Sequence, residues 1–190
     1  MSNDAMPPPP RGRGRLALIV LVVLFFGSAI VAMGLRLSGW QPTANRNHGQ
    51  LLAPAVDARA LAPQQLDGSR LDWQPARRMW RIVVPAEPQC GSACVDLSHN
   101  LHKVWQLLGH SADNVEILWL GALPPDAAAI TALRPMAPSP ELRAALPGAA
   151  DTTGSSVYVV DPNGFVVLRY APGFDPAGLR ADLAKLLKLK

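Results

Sequence analysis

The sequence predicts an α/β sandwich built on a small mixed β-sheet and preceded by one membrane-spanning helix. Three observations support this prediction: an uncharged apolar run over residues 16–35, a strand–helix–strand order over residues 79–121, and a late hairpin followed by a closing helix. A strand–helix–strand connection places two strands parallel in one sheet, and a hairpin adds an antiparallel pair. We therefore expect helices on both faces of a mixed sheet.

The apolar run LALIVLVVLFFGSAIVAMGL occupies residues 16–35. At about 1.5 Å per residue it spans roughly 30 Å, the thickness of the hydrocarbon core of a bilayer. The apolar stretch of a signal peptide is shorter, about 7–15 residues. We therefore expect an uncleaved anchor, although Ala32-Met33-Gly34 is a weak candidate for a cleavage site.

Basic residues flank the apolar run unequally. Arg11, Arg13 and Arg15 precede it closely, whereas Arg36 stands alone on the other side. The positive-inside rule predicts that the N-terminal tail is cytoplasmic and that the chain after Leu35 lies outside the cytoplasm. In a bacterium, the anchor would lie in the inner membrane as a single pass, with the C-terminal domain in the periplasm.

The sequence divides into four predicted regions. Residues 1–15 form a Pro-, Gly- and Arg-rich cytoplasmic tail that we expect to be disordered. Residues 16–35 are the anchor, residues 36–66 a linker and extended segment, and residues 67–190 the globular domain.

The charge of the chain argues against nucleic-acid binding. Four of the 18 Lys and Arg residues and one of the 14 Asp and Glu residues precede residue 37, which leaves 14 basic against 13 acidic residues after it. No basic stripe with interleaved aromatic residues is present in the sequence. We therefore expect no nucleic-acid partner.

The globular region begins with a strand, a helix and a second strand. The apolar segments MWRIVVP (79–85) and VEILWLG (115–121) are typical of buried strands. Apolar residues between them recur at helical spacing and predict a helix over residues 91–109. The Pro-Pro-Asp sequence at 124–126 predicts a short helical piece that ends at Leu133.

The last third of the chain carries clearer local signals. Ser139 is an expected helix N-cap followed by proline. Two β-branched runs flank Asp161-Pro162-Asn163-Gly164, which predicts a hairpin that forms an antiparallel edge of the sheet. Asp175, also followed by proline, predicts the start of the closing helix.

Cys90 and Cys94 are the only cysteines, and they lie at the start of the first predicted globular helix. A helix N-terminus stabilises a thiolate, which attacks disulfides or binds soft metals. The i, i+4 spacing brings both sulfurs to one side of the helix. Two other interpretations stay open: a structural disulfide, whose small ring would contribute roughly 2 kcal/mol, or two unpaired buried thiols.

These features together resemble the Sco/SenC proteins, which are membrane-anchored, thioredoxin-like factors that help to assemble the copper centre of cytochrome c oxidase. The resemblance covers roughly residues 47–189 and rests on the Cys-x-x-x-Cys at the first helix, on the hairpin VYVVDPNG and on the early segment NHGQLL. It implies a thioredoxin-like three-layer sandwich for residues 67–190. It also implies that Cys90 and Cys94 are the catalytic residues and the thiolate ligands of Cu(I).

The sequence departs from the family pattern at two positions. Val95 stands where the family usually has proline after its second cysteine. Thr153 stands at about the position of the histidine that is the family's third copper ligand, and no histidine follows His110. Cu(I) also accepts two thiolates alone.

Other residues with metal-binding side chains have simpler interpretations. His99 and His102 lie on the cysteine helix, one to two turns beyond Cys94, and we expect them to be solvated. His48 and His110 are expected at the surface. The methionines considered as thioether ligands are expected to fill the core, and they are Met79 and Met136.

The leading hypothesis is a membrane-anchored Sco-like factor that exchanges thiols and disulfides with a client and transfers Cu(I). Cys90 would be the nucleophile and Cys94 the resolving thiol, and the client would be a cytochrome c oxidase subunit or another periplasmic thiol protein. One alternative is a general periplasmic thiol–disulfide oxidoreductase without a metal role. Another is a non-catalytic scaffold that docks on oxidase subunits.

Overall fold

The computed structural model describes residues 13–38, 47–87, 90–150 and 154–188. The chain divides into two compact units, Met1–Ala44 and Asn45–Lys190. The first unit contains α1 (Arg13–Leu37). In the described part of the second unit the strands and α-helices are β1 (Gln50–Asp57), β2 (Trp80–Pro85), α2 (Gly91–Leu107), β3 (Val115–Leu120), β4 (Leu133–Met136), α3 (Pro140–Ala145), β5 (Val157–Val160), β6 (Phe165–Tyr170) and α4 (Pro176–Leu186). The predicted disordered tail falls mostly outside the described residues.

Helix α1 is apolar along its length. Its 25 residues extend about 37 Å at 1.5 Å per residue, which exceeds the roughly 30 Å of a bilayer core. The span Gly14–Leu37 has a mean hydropathy of 2.9, and within the described residues α1 alone is long and apolar enough to cross a membrane. The predicted apolar helix is therefore confirmed, while its orientation and its membrane stay predictions.

The second unit is built on one six-stranded mixed sheet with the order β1-β6-β5-β2-β3-β4. β2, β3 and β4 run parallel, as the strand–helix–strand pattern predicts. β5 pairs antiparallel with β2 and with β6. The predicted α/β class with a small mixed sheet is confirmed.

Alternating side chains of the central strands divide the core into two layers. Ile82 and Val84 of β2 pack with Cys94, Leu101 and other residues of α2 and α4 on one face of the sheet. Val83 belongs to the opposite layer, which includes Trp73 and Leu142 of α3. Because both faces are covered, the central strands are apolar on both sides. The result is the predicted three-layer sandwich.

The hairpin does not form the edge of the sheet, contrary to the prediction. β1 pairs antiparallel with β6, so Gln50 lies opposite Arg169 and Asp57 opposite Phe165. The strand β1, with most of its residues exposed, is the outer strand on this side. The predicted extended segment after the anchor is thus part of the sheet.

The helical piece predicted over residues 124–133 does not form. Its backbone groups have other partners: the carbonyl of Ala132 accepts from the amide of Ile117, and the amide of Ala128 donates to Ser98 Oγ. Leu133 then begins β4, which pairs with the otherwise open side of β3. The predicted helix over 91–109 also ends earlier, at Leu107, and a 3₁₀ segment continues to Asn114.

The local turn and cap signals are confirmed. Ser139 Oγ accepts from the amide of Leu142, and an Asp175 oxygen accepts from the amide of Ala177. Asp161 Oδ1 accepts from the amides of Asn163 and Phe165 and so closes the hairpin turn.

Buried Asp182 on α4 holds the segment that leads into β1. Its carboxylate accepts hydrogen bonds from the main-chain amides of His48 and Gly49, from the Tyr170 hydroxyl and from Lys185. Burial by itself would raise the pKa of Asp182, but these hydrogen bonds outweigh it and lower the pKa from 3.8 to about 2. The ionised carboxylate therefore connects the start of β1 to α4.

Candidate redox site

Cys90 and Cys94 form a disulfide bond at the start of α2. β2 ends at Pro85, and Cys90 is the N-cap residue of the helix. The Cα atoms of the two cysteines are 5.3 Å apart. The pair thus lies beyond the carboxyl end of a central strand and at the positive end of a helix dipole, which favours a thiolate once the bond is reduced.

Gly91 provides the backbone turn between the first cysteine and the helix. Its φ angle is +53°, in the left-handed region, and a Cβ placed there would have no atom within 4 Å. The constraint at this position is therefore the backbone conformation, which glycine adopts without the cost paid by other residues. This turn brings the Cys90 side chain back toward Cys94.

The two sulfur-bearing residues differ in exposure. Cys94 is 1% exposed and belongs to the core layer beneath α2. Cys90 is half-buried and lies between two surface grooves. The larger groove, about 600 Å³, runs past Glu87, Val95 and Asp126, and the smaller one, about 310 Å³, runs past Ser155 and Phe174. Both cysteines line the larger groove, and Cys90, the more exposed of the two, also lines the smaller one.

Among the described residues, Ser155 has a polar side chain in contact with both sulfurs. It lies in the loop before β5, and its Oγ is 3.6 Å from Cys90 Sγ and 3.9 Å from Cys94 Sγ. The residue is 8% exposed. The main-chain amide of Glu87 donates to the same oxygen at 3.2 Å. Residues far apart in sequence thus surround the disulfide.

Arg143 of α3 supports the loop that leads into Cys90. Its guanidinium donates to the carbonyls of Pro85, Ala86 and Ala149, and it pairs with the Glu87 carboxylate at 3.4 Å. Two of these carbonyls lie at the end of β2 and directly after it. Arg143 therefore connects α3 to the end of β2 and to Glu87.

Sequence reasoning identified the cysteines but missed Ser155, Glu87 and Arg143. Ser155 lies in a short Gly-Ser-Ser run that carries no recognisable motif. Its only signal in the sequence is its position shortly before the strand β5, which pairs with β2. The loop before β5 and the loop after β2 lie at the same end of the sheet and therefore meet. The sequence does not show which side chain of these loops reaches the sulfurs.

The other predicted ligand candidates do not converge on the sulfurs. His99 and His110 are exposed, and the exposed His48 ring lies beside Asp182. Met136 is buried on the opposite face of the sheet. Met79 precedes β2, whereas the cysteines follow it, so a strand of about 20 Å separates them. Within the described residues, no group of three or more His, Cys, Asp or Glu side chains is arranged to hold a metal ion.

Thr153, which the resemblance aligned with a copper-ligand histidine, lies outside the described residues. The reduced pair would offer Cu(I) two thiolates, a ligand type that Cu(I) prefers. In the disulfide neither sulfur is a thiolate, so these ligands would exist only after reduction.

Comparison with known proteins places the fold. The family described as "transmembrane-like, thioredoxin-like, C-terminal domain" matches residues 80–190. No curated protein sequence matches the chain. The chain shares 15% identity with BsSco, a member of the Sco family of cytochrome c oxidase assembly proteins in which a disulfide switch is described, covering 75% of this chain and 98% of that one with a TM-score of 0.51.

Two further solved structures have the same fold. Trgpx in its apo form shares 13% identity, covering 70% of this chain and 95% of that chain with a TM-score of 0.52. GPX1 of T. cruzi shares 15% identity, covering 69% and 96% with a TM-score of 0.50. Likeness at this level of identity shows the fold alone, which is thioredoxin-like. The fold and the Cys90–Cys94 disulfide together support thiol–disulfide redox chemistry.

Proposed function

The chain belongs to the family of transmembrane-like, thioredoxin-like C-terminal domains, and we propose that it is a membrane-anchored, Sco-like thiol–disulfide exchange factor for cytochrome c oxidase assembly. The observation that carries the proposal is the disulfide itself: its two sulfurs lie at a helix start, one reachable from two grooves and the other in the core. The sequence resemblance to Sco/SenC proteins supports the choice of client.

The exchange begins from the reduced pair. The Cys90 thiolate attacks one sulfur of a client disulfide and forms a mixed disulfide, and the other client sulfur departs with the bonding electron pair as a thiolate. Cys94 then releases its proton to water and attacks Cys90 Sγ. The second client sulfur leaves, so the client disulfide is reduced and the Cys90–Cys94 disulfide forms. A dithiol donor protein returns the pair to its reduced state.

The different solvent exposures of the two cysteines indicate which of them attacks the client and which resolves the mixed disulfide. Cys90 Sγ is accessible from the grooves, as an attacking thiol must be. Cys94 is nearly inaccessible to a client but is within bonding distance of Cys90, as a resolving thiol must be. The anchor α1 would hold this site at the periplasmic face of the inner membrane, where the cysteines of an oxidase subunit would be available.

Trapping of the mixed disulfide tests the proposal. The full chain carrying Cys94→Ser, expressed in its host cell in place of the natural protein, should accumulate a covalent adduct with an oxidase subunit that dithiothreitol releases. The Cys90→Ser variant is the matched control and should trap nothing. Oxidase content, measured from the haem spectrum of the membranes, should fall in both variants.

Other results would favour the alternatives. Adducts with many unrelated thiol proteins, together with normal oxidase content, would indicate a general oxidoreductase. Normal oxidase content in the Cys90→Ser, Cys94→Ser double variant would indicate a scaffold with a structural disulfide. Absence of any adduct, with no exchange against glutathione disulfide, would overturn the redox proposal itself.

Copper delivery is a second candidate, with Cu(I) as cargo. The observation that favours it is the convergence of two sulfurs at one place, which after reduction provides two thiolate ligands. Cu(I) would be held by Cys90 and Cys94 and passed to the thiols of the same client.

A further inference from the structure

We propose that Ser155 is a positioning residue that donates its hydroxyl hydrogen to the Cys90 thiolate and thereby holds this sulfur as the attacking one. The inference rests on the proposed thiol–disulfide exchange and names a residue that acts on it. Ser155 Oγ is 3.6 Å from Cys90 Sγ, within the range of a hydrogen bond to sulfur.

The direction of the hydrogen bond follows from the second partner of Ser155. The main-chain amide of Glu87 can only donate, so at 3.2 Å it uses the Ser155 oxygen as an acceptor. The hydroxyl hydrogen is then available for a second partner, and the contacts at Oγ place the two cysteine sulfurs within its reach. Ser155 is 8% exposed, so its side chain has little freedom to turn away from them.

Reduction of the disulfide strengthens this contact. A disulfide sulfur is a weak acceptor, whereas a thiolate carries a full negative charge, and hydrogen bonds to charged groups are about twice as strong as neutral ones. A donor that binds the charged form lowers the pKa of the group. Ser155 thus favours the thiolate over the thiol.

The geometry selects Cys90 for this effect. Its sulfur is the nearer of the two to Ser155, and its residue is the more exposed. Cys94 is 1% exposed, and burial disfavours a charged sulfur. The hydroxyl and the burial therefore act in the same direction, toward a Cys90 thiolate and a protonated Cys94.

Ser155 keeps its proton throughout the exchange. The electron pair of the attacking thiolate forms the new S–S bond, and the departing sulfur takes the pair of the broken bond. When a client thiolate instead opens the oxidised pair at Cys90, Cys94 departs as the thiolate, and Ser155 Oγ lies 3.9 Å from that sulfur. The Ser155 hydroxyl can therefore stabilise the Cys90 thiolate when the client is reduced and the Cys94 thiolate when the client is oxidised.

The test compares Ser155→Thr with Ser155→Val in the reduced full chain in detergent. The two side chains have nearly the same shape, but only threonine has a hydroxyl. Iodoacetamide alkylation of Cys90 is followed as a function of pH, with the modified cysteine assigned by peptide fragmentation. At pH values below the pKa of Cys90, the alkylation rate of Ser155→Val should be roughly tenfold lower than that of the natural protein. The rate of Ser155→Thr should be close to that of the natural protein.

Ser156→Ala is the matched control. Ser156 is adjacent and buried, but its hydroxyl has no hydrogen-bond partner among the described residues. Its substitution should leave the pH profile of Cys90 unchanged. A structural role of Ser155 would change stability without moving this profile.

Two negative outcomes have different meanings. Equal Cys90 profiles in the Thr and Val variants, with the natural protein exchanging normally, would overturn the role of Ser155 alone. Failure of the natural protein to exchange with glutathione disulfide would overturn the proposed function. Circular dichroism of each variant confirms that the compared proteins are folded.

Discussion

The main-chain amide of Glu87 donates a hydrogen bond to the Ser155 hydroxyl at 3.2 Å, so the loop before the disulfide is tied to the loop before β5. The Glu87 side chain is at the same time paired with Arg143. The loop before the disulfide is therefore held by two side chains that are far away in sequence, with Ser155 68 residues and Arg143 56 residues from Glu87. Its surroundings depend on the folded sheet, and this dependence can be tested.

Loss of the Arg143 side chain should destabilise the protein. Arg143→Ala leaves the carbonyls of Pro85, Ala86 and Ala149 without this donor. Because the group is only partly buried, we expect the free energy of unfolding to fall by about 1–3 kcal/mol. Urea denaturation of the full chain in detergent measures it. Arg180→Ala, at an exposed position of α4, is the control, and an equal loss in both variants would contradict the assigned role.

Acid should weaken the connection between Asp182 and the start of β1. The pKa of Asp182 is about 2 in the folded protein against 3.8 for the ordinary group, so its contribution is present above pH 3.8 and is lost as the pH falls toward 2. The difference corresponds to about 2 kcal/mol. Denaturation curves measured between pH 6 and pH 2 should show this loss.

Substitution provides the control for the acid effect. Asp182→Asn should be less stable at neutral pH and should lack this part of the pH dependence. Asp113→Asn, at an exposed position, should retain it. An unchanged pH profile in Asp182→Asn would show that other carboxylates govern acid stability.

Gly49 should not tolerate a side chain. A Cβ at this position would lie 2.5 Å from Cζ of the Tyr170 ring, and Tyr170 is 3% exposed. We expect Gly49→Ala to lower the free energy of unfolding by about 1–3 kcal/mol. In the Gly49→Ala, Tyr170→Ala double variant the effects should be less than additive, since the second change removes the clash. Strict additivity in the double-mutant cycle would argue against the contact as the cause.

Cu(I) should bind to the reduced full chain at one ion per chain. Titration in competition with a chelator should show a site that each of Cys90→Ser and Cys94→Ser weakens at least tenfold, because each removes one of two thiolates. His99→Ala should leave the affinity unchanged, since His99 is exposed on α2. Binding that survives in the cysteine variants, or no binding at all, would remove copper from the proposed function.

Short-range features of the fold were predictable from sequence. The turn at Asp161-Pro162-Asn163-Gly164 forms because the carboxylate accepts main-chain amides two and four residues later, and this chemistry is present in the sequence itself. The proximity of Cys90 and Cys94 likewise follows from their spacing at a helix start. The β2–α2–β3 unit follows from its apolar patterns.

Long-range features were not predictable in this way. β1 pairs with β6, with Gln50 opposite Arg169, and neither segment carries a local signal for the other. Residues 124–133 have a helix-compatible composition. The amide of Ala128 nevertheless bonds to Ser98 of α2, and Leu133 pairs with β3 as a strand residue. Ser155 reaches the disulfide only because the sheet brings two loops together.

The difference in burial between the two cysteines has a consequence for the cell. Cys94 fills the core beneath α2, so its replacement by a residue of different size disturbs packing, and proteases remove the unfolded chains that result. Serine has nearly the size of cysteine, so Cys94→Ser should disturb this packing least. Replacement of the half-buried Cys90 should leave the amount of protein closer to normal. Under the proposed function, larger changes at Cys94 would thus give scarce protein, whereas changes at Cys90 would give abundant protein without exchange activity.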